Sequence, residues 1–129
     1  MKSLIEQAIK ARENAYAPYS HFRVGAALET IEGEVFTGCN IENGAFTPTN
    51  CAERTAFFKA VSEGRRSFRR IAIVGGMDDE MVAPAPCGVC RQVMMEFCEP
   101  DTFEIILAKS PDDYEVVTLA EIFPKGFRL

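Results

Sequence analysis

Pro86-Cys87-Gly88-Val89-Cys90 places two thiols three residues apart at the start of an expected helix. Thiols so spaced lie close together, and the positive end of the helix dipole lowers their pKa towards thiolate. Alone, the element leaves three readings open: a redox pair, half of a metal site, or two small buried residues. Cys51-Ala52-Glu53 adds a third thiol, again beside the N-terminus of an expected helix. Two helix starts that converge at one sheet edge bring three thiolates to one ion and leave its fourth position open. That arrangement belongs to catalytic zinc, whereas structural zinc is closed by four protein ligands. Cys39 and Cys98 are read as packing residues: one ends a strand, and the other lies some two turns beyond Cys90. Glu53 has two readings. Asn50-x-x-Glu53 forms a capping box, or Glu53 is a carboxylate placed beside metal-bound water. His21 is the only histidine, so a two-histidine zinc site is excluded, and it is read as a solvent-facing loop residue.

Alternating strands and helices must position these groups. Ser3-x-x-Glu6 is a capping box that opens a first helix, expected to run to Ala17 and stop before Pro18. Phe22 to Ile31 and Glu34 to Cys39 read as a hairpin around Glu32-Gly33. Residues 40–49 read as a loop. Asn50 is the expected N-cap of a helix to Glu63, closed by Gly64. Ile71 to Val74 is a buried strand, Met77 to Pro86 a loop, and Cys87 to Cys98 a helix stopped by Pro100. Phe103 to Ala108 is another buried strand. The connection 110–113 is too short for a crossover helix, so Tyr114 to Thr118 returns antiparallel. The expectation is an α/β fold with one mixed five-stranded sheet, helices on its faces and the last strand antiparallel.

The 129 residues suit one domain, 1–129, with a core that needs no disulfides. Apolar residues make up 47% and charged residues 26%, as in ordinary globular proteins. No apolar run is long enough to span a membrane. The N-terminus carries charge within its apolar stretch and is read as no secretory signal. Five cysteines, an odd number, then point to reduced thiols and a cytoplasmic setting. Fourteen basic against nineteen acidic residues give a net charge of -5, which disfavours a nucleic-acid partner. The run Arg65-Arg66-Ser67-Phe68-Arg69-Arg70 is read as a solvated helix end and loop.

A ligand-x-Glu element followed by Pro-Cys-x-x-Cys is the layout of zinc nucleobase deaminases. The chain as a whole resembles the small homotetrameric cytidine deaminases of nucleoside salvage. The likeness rests on Pro18-Tyr19-Ser20-x-Phe22-x-Val24-Gly25-Ala26-Ala27-Leu28, on Gly38-Cys39-Asn40-Ile41-Glu42-Asn43, on Cys51-Ala52-Glu53-Arg54-Thr55-Ala56 and on Pro86-Cys87-Gly88-Val89-Cys90-Arg91-Gln92. Phe123-Pro124-Lys125-Gly126-Phe127 departs from the family's Leu-Pro-Gly-Ala-Phe, and residues 44–50 depart from its usual pocket wall.

The resemblance implies a three-layer α/β/α fold and a homotetramer with sites completed across subunits. It implies Zn2+ on Cys51, Cys87 and Cys90, with Glu53 as proton shuttle. Asn40 and Glu42 would bind the ribose, Phe22 would line the pocket, and the backbone around Ala52 would read the base edge. Phe127 would stack on a base in a neighbouring subunit's site. Arg54 would donate to the cysteine sulfurs, drawing off some of the charge that three thiolates bring to the ion. The implied reaction is hydrolysis of cytidine and deoxycytidine to uridine and deoxyuridine, with loss of ammonia. A deaminase of a cytosine-containing antibiotic such as blasticidin S is the alternative on the same scaffold, and Asn40-x-Glu42-Asn43 argues against it. A zinc-closed interaction module and a redox protein using Cys87 and Cys90 are the readings from other classes.

Overall fold

Alternation along the central strands decides the layering. Ala26 and Leu28 of β1 (Phe22–Thr30), Ile71 and Ile73 of β3 (Phe68–Met77), and Ile105 and Leu107 of β4 (Glu104–Ser110) point into one core. Ala27, Ala72, Val74, Ile106 and Ala108, one residue out of phase, point into a second. A strand whose side chains are buried on both faces must be covered on both. In the computed structural model, which describes residues 1–129, α1 (Lys2–Arg12) covers the second face through Leu4, Ile5 and Ala8. On the first face lie α2 (Ala52–Ser62), α3 (Gly88–Phe97) and the short α4 (Leu119–Ile122). Phe57 of α2 centres that larger core, its ring 5.0 Å from Phe68 and 6.1 Å from Phe103.

The sheet runs in the order β2-β1-β3-β4-β5, with β2 at Val35–Cys39 and β5 at Asp113–Thr118. The hairpin pairs Ala26 with Gly38 and Leu28 with Phe36. Strands β3 and β4 are parallel, and β5 returns antiparallel to β4. The expected three-layer architecture with its mixed five-stranded sheet is therefore present. No helix is long and apolar enough to cross a membrane.

Several boundaries differ from the sequence reading. Helix α1 has Met1 at its N-cap with no side-chain cap, so Ser3 sits inside the first turn and no capping box forms. The helix also stops at Arg12 rather than Ala17. Beyond it the amides of Asn14 and Ala15 bond three residues back. Tyr16 then turns extended and donates to the Asn40 carbonyl at 3.0 Å. Asn50 is not a cap, because its backbone exchanges two 2.9 Å hydrogen bonds with Ile41. Cys51 takes the N-cap position of α2 instead. The basic run is no loop past Ser67: Phe68 is buried, Arg69 and Arg70 belong to β3, and Arg70 Nε lies 3.0 Å from Glu104 Oε1 across the sheet. Helix α4 was not expected, although Thr118-x-x-Glu121 forms a complete capping box there.

Candidate active site

The sheet brings the starts of α2 and α3 together. Gly38 of β2 makes this possible for α2, since a Cβ at that position would lie 2.5 Å from the Ala52 carbonyl oxygen and 2.6 Å from the Ala56 nitrogen. The segment leading to α3 is tied down from the opposite face. The buried Arg12 guanidinium donates to the carbonyls of Arg23, Gly76, Asp78 and Glu80 at 2.7–2.9 Å, and Val82 bridges back to Gly75. From there Pro84, Ala85 and Pro86 lead into Cys87.

Cys51 and Cys87 each occupy a helix N-cap position. Cys90 lies one turn inside α3 and is buried. The three Sγ atoms lie within 4.8 Å of one another, and Cys51 Sγ stands 3.8 Å from Cys87 Sγ. A disulfide needs about 2.05 Å. A tetrahedral ion with sulfur at about 2.3 Å has sulfur–sulfur edges of about 3.8 Å. The donor set thus fits zinc, and no fourth His, Cys or carboxylate joins the cluster. Cys39 and Cys98 stand outside it. Burial pushes both of those thiols up, in keeping with packing residues.

Three thiolates would overcompensate a doubly charged ion, and the surroundings counter this. Arg54 Nη2 donates to Cys51 Sγ at 3.2 Å, while Arg54 Nε is buried without an acceptor. The backbone amide of Cys90 faces Cys87 Sγ at 3.5 Å. Hydrogen bonding from Cys90, with Arg54 assisting, pulls the Cys51 thiol down, and the same partnership with burial pushes Cys90 up.

Glu53 is 5% exposed. Because Asn50 does not cap α2, the capping-box explanation of Glu53 fails. Burial, reinforced by the charge of Cys51, pushes its carboxyl up to about 7. A group poised near neutrality suits proton transfer in either direction.

These groups meet in a cavity of about 240 Å³. Its lining includes Cys51, Cys87, Ala52 and Glu53, together with Phe22, Asn40 and Glu42. Asn40 Oδ1 accepts from the Val24 amide at 2.8 Å, and its Nδ2 donates to the Phe22 carbonyl at 2.7 Å. One amide hydrogen of Asn40 is left over. Glu42 Oε1 accepts from the amides of Tyr19 and Ser20 at 2.9 and 3.2 Å. Phe127 does not reach this cavity in its own chain; its ring is exposed, and its carbonyl accepts from Gln92 Nε2 at 3.1 Å. His21 is exposed as expected, 3.9 Å from Asp78. Ser20, Val24, Thr49, Asn50, Ile73, Pro84 and Ala85 complete the wall. Thr49 and Asn50 fall in the 44–50 stretch that the resemblance places in the pocket wall; the sequence singled out none of the others for this role, because strand pairing and loop path, rather than spacing, bring them in.

Three thiols around an open position, a buried carboxylate at its side and a small cavity open to solvent define a zinc-dependent hydrolase for a small molecule. Residues 1–105 match the model of the cytidine and deoxycytidylate deaminase zinc-binding region. A cytidine deaminase from Sporosarcina psychrophila is 49% identical over 127 residues, 98% of this chain and 90% of that protein. One from Halalkalibacterium halodurans is 52% identical over 124 residues, 96% and 91% respectively. The crystal structure of cytidine deaminase from Burkholderia pseudomallei superposes with a TM-score of 0.86 at 49% identity, covering 97% of each chain. A blasticidin-S deaminase from Bacillus cereus is more distant, at 33% over 108 residues, 80% of this chain and 76% of its own. The chain belongs to the cytidine deaminase family.

Proposed function

We propose that the protein hydrolyses cytidine and deoxycytidine to uridine and deoxyuridine, releasing ammonia, in pyrimidine salvage in the cytoplasm. The observation that carries this reading is one cavity lined both by Cys51, Cys87 and Glu53 and by Asn40 and Glu42. The first set suits deamination, and the second suits a sugar. A nucleobase alone would leave the spare amide hydrogen of Asn40 and the free acceptor site of Glu42 unused, and the blasticidin alternative gives them no ribose to hold.

Zinc on Cys51, Cys87 and Cys90 would supply a Lewis acid that lowers the pKa of water to near neutrality. Glu53 takes the proton from the water that attacks C4 and delivers it to N3 of cytosine. Protonation at N3 makes C4 electrophilic. Glu53 then carries the second proton of that water, from the hydroxyl now on C4, to the amine as the C4–N bond breaks and the carbonyl forms, so one carboxylate serves both transfers. The Ala52 backbone reads the base edge and Phe22 packs against the nucleoside. Asn40 offers its spare amide hydrogen to the sugar, and Glu42 accepts from a sugar hydroxyl. Arg54 keeps negative charge on the sulfurs from quenching the site.

The chain acts as one domain, 1–129, within a homotetramer. The exposure of Phe127 supports its stacking in a neighbour's cavity. The deciding experiment follows the absorbance change on mixing the protein with cytidine, with and without a zinc chelator, beside Glu53→Gln. General acid–base groups contribute roughly 10²–10⁴-fold, and a group used twice belongs at the upper end. Glu53→Gln retaining a tenth of wild-type turnover would remove Glu53 from the chemistry, and chelator-independent activity would remove the metal.

A further inference from the structure

Glu42 is held by the turn that precedes β1, and the manner of holding leaves it one free acceptor site. A carboxylate offers about four lone-pair positions. Two on Oε1 are taken by the amides of Tyr19 and Ser20, at 2.9 and 3.2 Å. One on Oε2 is taken by the Ser20 hydroxyl. The direction of that last bond follows from the ionised carboxylate, which can only accept, so the hydroxyl donates. The Phe22 amide donates to Ser20 Oγ at 3.0 Å and uses one of its lone pairs. The backbone amides pin only Oε1. The Ser20 hydroxyl fixes Oε2, and with it the direction in which the remaining lone pair faces. Both residues line the cavity.

We propose that Ser20 is a positioning residue for sugar recognition: its hydroxyl holds the Glu42 carboxylate so that its last acceptor site is presented to a hydroxyl of the nucleoside. This rests on the reading of the cavity as a nucleoside site. Ser20 touches no reacting atom, so its loss affects binding of the sugar and spares the chemistry at C4. Glu42 also keeps its two amide partners when the hydroxyl is removed, so the turn stays anchored.

The test measures kcat and KM for cytidine, 2′,3′-dideoxycytidine and cytosine with wild type, Ser20→Ala, Ser20→Thr and Glu42→Ala. In Ser20→Ala the KM for cytidine should rise about tenfold, the lower end for a lost hydrogen bond to a charged group. Its kcat should stay within about twofold of wild type, a margin far below the effect of one such bond. The KM values for dideoxycytidine and cytosine, which lack the sugar hydroxyls in question, should not move. Ser20→Thr restores a hydroxyl and should restore the cytidine KM. An unchanged cytidine KM in Ser20→Ala, an equal rise on all three substrates, or failure of Ser20→Thr to rescue overturns the role of Ser20. A wild type that does not prefer cytidine over cytosine, or Glu42→Ala that keeps the full preference, overturns the underlying nucleoside reading as well.

Discussion

Replacing Gly38 by Ala tests whether the approach of α2 to β2 sets the catalytic geometry. The added Cβ would lie 2.5 Å from the Ala52 carbonyl oxygen, 2.6 Å from the Ala56 nitrogen and 3.0 Å from Thr55 Cβ. Two of these neighbours are helix backbone and cannot swing aside. Non-bonded contacts of carbon settle near about 3.5 Å, so α2 must retreat by roughly 1 Å. Its first turn carries Cys51, Ala52 and Glu53, and a displacement of that size near reacting groups costs about 10²-fold in rate. Overpacking also costs about 1–3 kcal/mol of stability.

Ile5→Ala is the stability control, because Ile5 is fully buried in the core under α1, on the opposite face of the sheet from α2, and such a truncation costs about 2–5 kcal/mol. Zinc content, thermal midpoint and kcat/KM of the folded fraction should be measured for both variants. Both should lose stability, and Gly38→Ala should lose kcat/KM disproportionately, with weakened zinc retention. Gly38→Ala with kcat/KM within threefold of wild type would refute the argument. So would Ile5→Ala with the same loss of rate.

Metal analysis of single Cys→Ala variants should show zinc lost from Cys51, Cys87 and Cys90 variants and kept at about one per chain in those of Cys39 and Cys98. Arg12→Met should destabilise the fold by at least about 3 kcal/mol in denaturant unfolding, since each hydrogen bond to a charged group is worth roughly 1.5–3 kcal/mol and Arg12 makes four to backbone carbonyls. Hydrogen bonding from Ser20, with the Tyr19 and Ser20 amides, holds the Glu42 carboxyl below the ordinary range. A depressed folded pKa keeps the ionised form as pH falls through the usual carboxylate values, so the KM ratio of cytosine to cytidine should stay flat from pH 7 to about 5 and collapse only below about 4. Phe127→Ala should raise the KM for cytidine while leaving zinc in place, and a fully active monomer on sedimentation would reassign the tail.

The parts of the site legible in the sequence are those written in local spacing. Cys87-x-x-Cys90 and Cys51-x-Glu53 sit at helix starts, and helix geometry keeps the members of each pair together, while the sheet brings the two starts to one point. The hairpin and the antiparallel return of β5 were legible for a similar reason, since the short connections permit little else. What was not legible depends on pairing between distant segments. Asn50 has the side chain of a good cap, yet its backbone is claimed by Ile41, and two ladder hydrogen bonds outweigh one capping bond. Ser3 and Glu6 carry a capping box by type, but Lys2 is already helical, so no free N-cap position is left for Ser3 to fill. Arg12 gave no sign of holding the segment before Cys87, because its four acceptors are backbone carbonyls supplied by residues eleven to sixty-eight positions away.

The tail shows how a departure from the family pattern becomes intelligible once packing is seen. Lys125, where the resemblance places Gly, adopts φ 61°, a left-handed conformation that costs an ordinary residue roughly 1 kcal/mol. Gly126, where the resemblance places Ala, has no room for a Cβ: it would lie 2.5 Å from Phe123 Cδ2 and 3.0 Å from Met95 Cγ. Phe123 stands where the pattern has Leu, and the larger ring fills the space that an Ala methyl would need. Glycine at 126 thus leaves room for the ring, while Lys125 carries the left-handed conformation. Arg128 secures the result by donating to the Met95 and Cys98 carbonyls at 2.8 and 2.7 Å, where its charge also complements the C-terminal end of α3. Gly126→Ala should therefore destabilise the protein by about 1–3 kcal/mol, and combination with Phe123→Leu should recover most of that loss in thermal unfolding. Equal destabilisation in the single and double variants would show that ring size is not what requires glycine at 126.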